Sequence, residues 1–440
     1  MSTKLTRTNS GGSSGTKWTR SLWVKRGALG ASQSLCAAGS YITFTSTDYI
    51  EVLASAGVGM LVTNRKFRDP AAWYHIVLTY DSTAGSSDRL ILYVNGVRET
   101  SFSTNTQPAL NQVDTATNNG QVQYIATRTG SNYYFLGNMA HVYFTDGYAY
   151  PASSFGETDS TSGIWKPKLS ASVSYGTNGY FLKFVSGATG TDSSGQTNNF
   201  TVAGNLTSPN DNPQNNYCKM NPLDSKFSAP VLTNCNTTIT TSAATWSTAT
   251  QWLNSGLWYW EVNPTGSLGG GECMGILDKV TTGSSRNMYN GAGHKGAVVR
   301  SGGNVYIDSS DTGNISPSGD LWASGDTIGI YMDLNALKIY FAKNGTILNS
   351  GTGKTLTALD STASFEYTPV WGSTNTSAST ANFNFGEGNL GTTALTGTTY
   401  ADSNGEGKFK YSPNNSGGSS FDGAAKNFLA ICTSNMATDS

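Results

Sequence analysis

The chain has 440 residues, of which 37% are hydrophobic, 11% aromatic and only 12% charged, and its formal net charge is −1. Without a basic stripe it lacks the electrostatic signature of a nucleic-acid-binding protein, and no apolar run approaches the roughly 18 residues that a membrane span needs. Because the aromatic residues fall within alternating apolar runs, the composition favours an all-β protein with polar turns over a disordered chain.

Residues 1–16 are polar and rich in glycine and serine, which predicts a flexible N-terminal arm. They contain no apolar segment of the kind that signal peptides carry, so we expect a protein that is made in a cytoplasm and carries no signal peptide.

Residues 17–190 contain short alternating apolar runs separated by turn residues, which predicts a β-sandwich. In "LILYVNG", Leu90, Leu92 and Val94 face one side of a strand, and Asn95-Gly96 predicts a type I′ hairpin turn. The later run "YFLKFV", residues 180–185, is expected to return as a strand and complete this sandwich.

Residues 191–225 are dense in polar small residues and predict a connector. A second sandwich is predicted over residues 226–390, where "LKIYFAKNGTIL" repeats the hairpin pattern with Asn344-Gly345 at its turn. Residues 391–440 form a C-terminal extension, for which we expect a short helix near 424–432.

Two segments resemble known families. "AWYHIVLTYDS" followed by "LILYVNG" is similar to the laminin-G-like, concanavalin A-type jelly roll. "GLWYWEV", "GDTIGIYMDLNALKIYFAKNG" and "ANFNFG" resemble a SPRY (B30.2) domain, although "FNFGEGNL" departs from the aromatic-rich ending of related phage segments. The implied fold class is all-β, with two concanavalin A-like jelly-roll β-sandwiches in tandem joined by a long polar connector.

The connector "DSSGQTNNF" to "DNPQNNYCKMNPL" resembles those in structural proteins of tailed bacteriophages, especially marine ones. The resemblance implies a virion protein, a tail-fibre, spike or head-fibre component that attaches to host-surface glycan. Its implied partners are other virion proteins and host glycan, with no nucleic acid and no membrane insertion. We expect a homo-oligomer, a trimer by analogy with such fibres.

Catalysis is not predicted. A retaining glycosidase needs two carboxylates about 5 Å apart, and Glu51, Glu99, Glu261 and Glu366 lack an acidic neighbour two or four positions away. His75 and His141 lie in strands and are interpreted as structural, each with a hydrogen bond to backbone. A polysaccharide depolymerase and a purely architectural capsid or tail decoration protein remain as alternatives.

No metal site and no cofactor are predicted. Asp81 and Asp88 flank a turn, but two carboxylates are too few for a calcium site. The five cysteines form no CxxC pair and are interpreted as reduced, mostly buried side chains, although Cys218 and Cys235 could bridge a loop.

Glycan sites combine an aromatic platform with amide, hydroxyl or guanidinium groups. The loop "SSRNMYNGAGHKG" supplies the first candidate residues, against the alternative of a solvated loop folded on its own amides, and "SNYYFLG" supplies the second set. Tyr133 and Tyr134 alternate faces, so one of the two is expected in the core. The predicted ligand-binding residues are Arg286, Asn287, Tyr289, Asn290, His294, Asn132 and Tyr134. Six tryptophans in strands are predicted to be core: Trp18, Trp23, Trp73, Trp246, Trp258 and Trp260.

Overall fold

Two compact units make up the chain. The first comprises residues 1–208 and 212–214, and the second comprises residues 209–211 and 215–440. The computed structural model describes residues 3–54, 59–118, 120–266, 270–281, 287–316, 321–357, 365–374, 378–414 and 420–436.

The first unit is built from antiparallel strands, with one-turn 3₁₀ helices at Thr115–Thr117 and Ala152–Ser154 among its described residues. Its strands are β1 (Lys4–Thr8), β2 (Lys17–Arg26), β3 (Gln33–Ala38), β4 (Ser40–Phe44), β5 (Tyr49–Ala54), β6 (Gly59–Lys66), β7 (Trp73–Asp81), β8 (Leu90–Val94), β9 (Val97–Arg98), β10 (Phe102–Thr106), β11 (Val122–Ile125), β12 (Gly137–Asp146), β13 (Gly156–Thr158), β14 (Trp165–Pro167), β15 (Tyr180–Leu182) and β16 (Thr201–Ala203).

Two large sheets face each other in this unit. One has eight strands in the order β10-β6-β5-β4-β3-β11-β1-β16, and the other has six in the order β15-β12-β2-β7-β8-β9. The predicted hairpin joins β8 to β9, with φ of 50° at Asn95 and 81° at Gly96, as a type I′ turn requires. Leu90, Leu92 and Val94 lie in the core between the sheets, as predicted from their alternation.

The outer faces of these two sheets differ. Strand β7 of the six-stranded sheet is buried on both faces, because residues from the segment 148–179 cover its outer side, among them Phe155, Trp165 and Tyr175. Strand β5 of the eight-stranded sheet alternates between half-buried and buried residues, so its outer side is open to solvent.

The second unit also consists mainly of antiparallel strands, with a 3₁₀ turn at Asn349–Gly351 and a short helix α1 (Thr433–Met436). Its strands are β17 (Met220–Lys226), β18 (Val231–Thr233), β19 (Thr238–Thr241), β20 (Thr245–Ala249), β21 (Leu257–Gly266), β22 (Glu272–Asp278), β23 (Gly296–Arg300), β24 (Asn304–Ile307), β25 (Ser310–Asn314), β26 (Ile328–Asp333), β27 (Lys338–Lys343), β28 (Thr346–Ile347), β29 (Lys354–Thr355), β30 (Tyr367–Ser373), β31 (Ser379–Asn384), β32 (Asn389–Leu390), β33 (Thr393–Ala394) and β34 (Leu429–Ala430).

A second sandwich forms from these strands. One sheet has seven strands, β17-β20-β30-β22-β23-β24-β25, and the other runs β18-β19-β31-β21-β26-β27-β28, with β29 paired to β27 and β34 to β21. The Asn344-Gly345 turn repeats the geometry of the first hairpin, with φ of 48° and 80°. The prediction of an all-β fold with tandem sandwiches is therefore confirmed.

The C-terminal extension packs onto the outer face of the hairpin sheet of the second unit. Tyr259, Tyr331 and Tyr340 of that face contact Phe409, Phe421 and Phe428 of the extension in one aromatic cluster. The helix expected near 424–432 is absent from that range: residues 429–430 are β34, and α1 begins at Thr433. The apolar surface of the sheet overrides the local helical pattern.

Two boundaries also differ from the predicted ones. Part of the segment predicted as a flexible arm is β1, which pairs with β11 and β16. Part of the predicted connector is β16, and Phe200 beside it is buried against Tyr180, with ring centroids 4.7 Å apart. Alternating apolar residues within these polar segments give both of them a place in the first sandwich.

Burial agrees with the core predictions. The six tryptophans predicted to be core are all at most 8% exposed. The five cysteines, all within the described residues, form no disulfide, and all but Cys235 are buried. Across the described ranges, no helix is both long and apolar enough to cross a membrane.

Candidate functional site

The loop after β22 holds most of the predicted ligand-binding residues. Arg286 lies outside the described residues. Tyr289 packs on the outer face of the seven-stranded sheet, with the Arg300 guanidinium 4.1 Å from its ring centroid and the Tyr306 ring 5.2 Å away. His294 is buried, and its Nδ1 lies 2.9 Å from the carbonyl oxygen of Met288.

Of the four described candidates in this loop, Asn290 is exposed and Asn287 is half-buried. The loop covers a small apolar cluster on the sheet, formed by Trp246, Cys273, Leu277, Met288, Val298 and Val370. The side chains of Tyr289 and His294 are therefore committed to packing, and the exposed candidate of this loop is Asn290.

The second candidate loop, residues 126–136 between β11 and β12, is tied to the sheet by its backbone. The amide of Ala126 donates to the carbonyl of Leu35, and the amide of Ser34 donates to the carbonyl of Tyr133. Ala126, Gly130 and Tyr133 have φ of 63°, 80° and 51°. These left-handed residues turn the loop back over the outer face of the eight-stranded sheet.

The predicted residues of this loop have different surroundings. Asn132 is exposed, and its Oδ1 accepts a hydrogen bond of 2.8 Å from the Thr129 hydroxyl. Tyr134 is half-buried and donates its hydroxyl to the carbonyl of Gly130, 2.8 Å away. The exposed ring of the pair belongs to Tyr133, which is 42% exposed.

A residue that the sequence did not single out holds the loop together. The Arg128 guanidinium lies 3.6 Å from the ring centroid of Tyr41 on β4 and 5.4 Å from that of Tyr133. The hydroxyl of Tyr41 donates to Glu51 Oε1, 2.9 Å away. Burial and the neighbouring Glu51 carboxylate raise the pKa of Tyr41 to about 12, so the phenol keeps its proton at neutral pH.

The loop lies over the middle of a row of side chains that crosses the whole eight-stranded sheet. Paired residues of adjacent strands share one face, and eight strands at ~4.8 Å spacing span roughly 34 Å. The row runs Thr201, Thr6, Tyr124, Ala37, Tyr41, Leu53, Met60 and Thr106. Its flanking members are half-buried or exposed, whereas Ala37 and Tyr41 beneath the loop are buried.

His75 is enclosed beneath the cover of the six-stranded sheet. The Trp165 indole donates to its Nδ1 over 2.9 Å, so Nε2 carries the proton and donates to the Ser21 hydroxyl 2.8 Å away. Burial lowers the pKa of His75 to about 3. Its partners are side chains rather than the expected backbone, and because both His75 and Ser21 are buried, the pair is closed to substrate.

The two aspartates considered for calcium are occupied by cations of the chain. Asp81 pairs with Lys17 at 3.0 Å, and Asp88 pairs with Arg98 at 2.7 Å. Throughout the residues that the structure describes, no group of three or more histidine, cysteine or acidic side chains is placed to hold a metal ion.

Comparison with known proteins identifies both domains. Residues 2–150 match the family model of the concanavalin A-like lectin/glucanases superfamily, and residues 257–388 match the SPRY domain model. A search of curated proteins finds no match.

Solved structures align over parts of the chain. The SPRY domain of human HERC1 aligns at 18% identity over 37% of this chain and 96% of its own, with a TM-score of 0.30. A putative carbohydrate binding protein from Bacteroides ovatus aligns at 17% identity over 46% of this chain and 56% of its own, with a TM-score of 0.32. The two family models, rather than these alignments, identify the domains.

Proposed function

We propose that this chain, which carries a concanavalin A-like domain and a SPRY domain, is a structural protein of a tailed-phage virion. In this proposal it is a tail-fibre, spike or head-fibre component that is made in the host cytoplasm and attaches to host-surface glycan by binding alone. The phage assignment is supported by the connector sequence and the order of the two domains.

The observation that carries the binding function is the loop 126–136 on the outer face of the eight-stranded sheet, next to strands β5 and β6 that alternate in burial. Tyr133 supplies an exposed aromatic ring, and Asn132 and Arg128 supply amide and guanidinium groups beside it. An aromatic platform bordered by such groups is the arrangement that sugar rings and their hydroxyls require.

Assembly completes the proposed mechanism. A single shallow face binds weakly, and several copies held in one virion multiply the affinity without new contacts. The proposal therefore includes other virion proteins as partners and a homo-oligomer, a trimer by analogy, with no part for nucleic acid or membrane insertion.

The test incubates the full chain with host-cell-surface polysaccharide and measures bound protein and released reducing ends in the same tube. We expect binding without release. Tyr133→Asn should abolish binding while preserving the fold, because asparagine tolerates the left-handed φ of this position. Tyr148→Asn is the matched control, since Tyr148 is 43% exposed and lies outside the loop.

Other outcomes would contradict the proposal. Release of reducing ends would indicate a polysaccharide depolymerase, and absence of both signals would favour an architectural decoration protein. Loss of binding in Tyr148→Asn but not in Tyr133→Asn would place the site elsewhere.

A further inference from the structure

We infer that Arg128 binds the carboxylate of an acidic glycan, a polymer that contains uronic acids or other sugar acids. The inference rests on the proposed function and specifies the ligand of the same site. Four features of the structure support it: the orientation of the guanidinium, its freedom from acidic partners, the local charge and the position of the exposed ring.

The guanidinium of Arg128 is pre-oriented. The Tyr41 ring is fixed by the sheet and by the hydrogen bond to Glu51, and the guanidinium lies 3.6 Å from its centroid. Tyr133 approaches the same guanidinium at 5.4 Å. Arg128 also has a side-chain hydrogen bond to Tyr41. A guanidinium has five N–H donors, so further N–H groups remain for a planar, two-oxygen acceptor.

The protein does not use those N–H groups for an ion pair among the residues described. The ion pairs of the first unit involve Lys17, Arg26, Arg65, Arg68, Arg98 and Lys166 as cations. Glu51 lies on the same face of the sheet but accepts from Tyr41 instead. Arg128 is half-buried, so its guanidinium is partly shielded from water. An incoming carboxylate would therefore interact with it more strongly than with a fully exposed guanidinium.

A second cation lies at the base of the loop. Lys4 Nζ donates to the carbonyl of Gly130, and a Cβ placed on Gly130 would lie 3.4 Å from that nitrogen. Two positive charges, those of Lys4 and Arg128, therefore border the platform, with the carboxylate of Glu51 beneath it. This balance favours an anionic ligand over a neutral one.

The geometry selects a sugar acid in particular. A sugar ring resting on the exposed Tyr133 would bring a ring-attached carboxylate to the adjacent guanidinium, where both oxygens can be bound at once. A neutral sugar offers only hydroxyls at the same position, which bind a guanidinium less strongly than a charged group does.

The experiment measures the affinity of the full chain for polygalacturonate and for the same polymer after its carboxyl groups have been reduced to alcohols. We expect the uronate polymer to bind at least about tenfold more tightly, as one charge-assisted bidentate contact per site would give. Dextran sulfate, which carries tetrahedral sulfate groups and no carboxylate, serves as a third probe and shows whether anionic charge alone gives equal binding.

Two variants locate the contact. Arg128→Lys keeps the charge but removes the planar fork, so its affinity for polygalacturonate should fall to that for the reduced polymer. Arg98→Lys is the matched control, since Arg98 is an exposed arginine of the same unit that already pairs with Asp88, and its affinity should not change.

The outcomes separate this inference from the function on which it rests. If the unmodified chain binds native and reduced polymer equally well, the carboxylate specificity is wrong but the proposed glycan attachment is unaffected. Unchanged binding of polygalacturonate by Arg128→Lys would have the same meaning. If dextran sulfate binds as tightly as polygalacturonate, the site recognises negative charge and not a carboxylate in particular, which would overturn the inference. If the chain binds neither these polymers nor the host polysaccharide, both the carboxylate specificity and the proposed glycan attachment are wrong.

Discussion

In the first unit Trp165 lies over the Asn95-Gly96 turn, and in the second unit Tyr411 lies over the Asn344-Gly345 turn. A Cβ added to Gly96 would lie 2.7 Å from Trp165, and one added to Gly345 would lie 2.6 Å from Tyr411. In each unit a segment that follows the central hairpin in sequence covers the outer face of the hairpin sheet. In both units, therefore, the apolar outer face of the hairpin sheet is covered by a later segment of the same chain.

The units differ in their other sheet. In the second unit the loop that carries Tyr289 and His294 covers the outer face of the seven-stranded sheet, whose strands β22 and β30 are buried throughout. In the first unit strands β5 and β6 of the eight-stranded sheet alternate in burial, whereas β3 and β4, beneath the loop 126–136, are buried throughout. The exposed ring of Tyr133 beside Arg128 therefore supports the proposal that the binding surface belongs to the first unit.

The largest effect is expected at the anchor of the C-terminal cover. Buried Glu261 accepts hydrogen bonds from the backbone amides of Lys410 and Tyr411, at 3.0 and 2.7 Å, and from the Asn384 amide at 2.9 Å. Glu261→Ala leaves these buried donors unpaired and should lower the free energy of unfolding of the second unit by about 3–5 kcal/mol. Chemical denaturation measures the loss.

Glu261→Gln is the control for shape. It retains one acceptor oxygen, so its free energy of unfolding should fall by less than that of Glu261→Ala. An Ala variant as stable as the unmodified chain would show that the extension stays in place without this anchor.

The two aromatic side chains that lie over the turns should contribute unequally to the free energy of unfolding. Trp165→Ala removes a packed indole and also leaves the buried Nδ1 of His75 without its donor, so we expect a loss of about 3 kcal/mol. Tyr411→Ala removes a half-buried ring but keeps the backbone bond to Glu261, so a loss of about 1 kcal/mol is expected. Urea unfolding of both variants compares them, and equal losses would contradict the assigned role of the indole hydrogen bond.

The glycines of the two turns carry both a backbone and a packing constraint. Gly96→Ala and Gly345→Ala should each cost about 2 kcal/mol, since a left-handed φ costs an alanine roughly 1–2 kcal/mol and the new methyl meets an aromatic ring. Gly30→Ala separates the two terms, because Gly30 has φ of 73° but no atom within 4 Å of the added Cβ. Thermal unfolding that finds Gly30→Ala as costly as Gly96→Ala would exclude a packing contribution.

The smallest effect is the pH dependence that His75 gives to the stability of the first unit. The pKa of His75 is lowered from its usual value to about 3 in the folded chain, so below pH 6.5 the unfolded chain binds a proton that the folded chain does not. Stability should therefore fall as the pH is lowered from 6.5 to 5, by up to about 1.4 kcal/mol per pH unit from this residue. Unfolding free energies across that window measure the slope, which should decrease in His75→Gln.

Burial lowers the pKa of His141 as well, so part of the slope should persist in the variant. A slope unchanged by the substitution would show that His75 is not the group responsible.

Sequence patterns predicted the sandwiches because two-residue alternation and Asn-Gly turns are local signals. The segments that cover the outer faces of the two hairpin sheets could not be predicted from such local signals. The segment containing Phe409, Phe421 and Phe428 carries no regular period, and its position depends on the aromatic face provided by β21, β26 and β27. The helical pattern near 424–432 was a local preference that this tertiary contact overrides.

The site was predictable only in part. The aromatic-amide composition of "SNYYFLG" marks the loop of the first unit, but which tyrosine is exposed depends on the left-handed φ of Tyr133. Arg128 has no sequence signature, since its partner Tyr41 is 87 positions away and reaches it only through the sheet register. In the second unit, His294 resembles a binding residue in sequence and is buried by its contact with Trp246.

Hydrogen–deuterium exchange with and without host-surface polysaccharide tests most directly whether the open face of the first unit is the binding surface. The account predicts slower exchange in residues 126–136 and no change in residues 287–294. Protection confined to residues 287–294, or no protection in either loop under conditions where binding is measured, would contradict it.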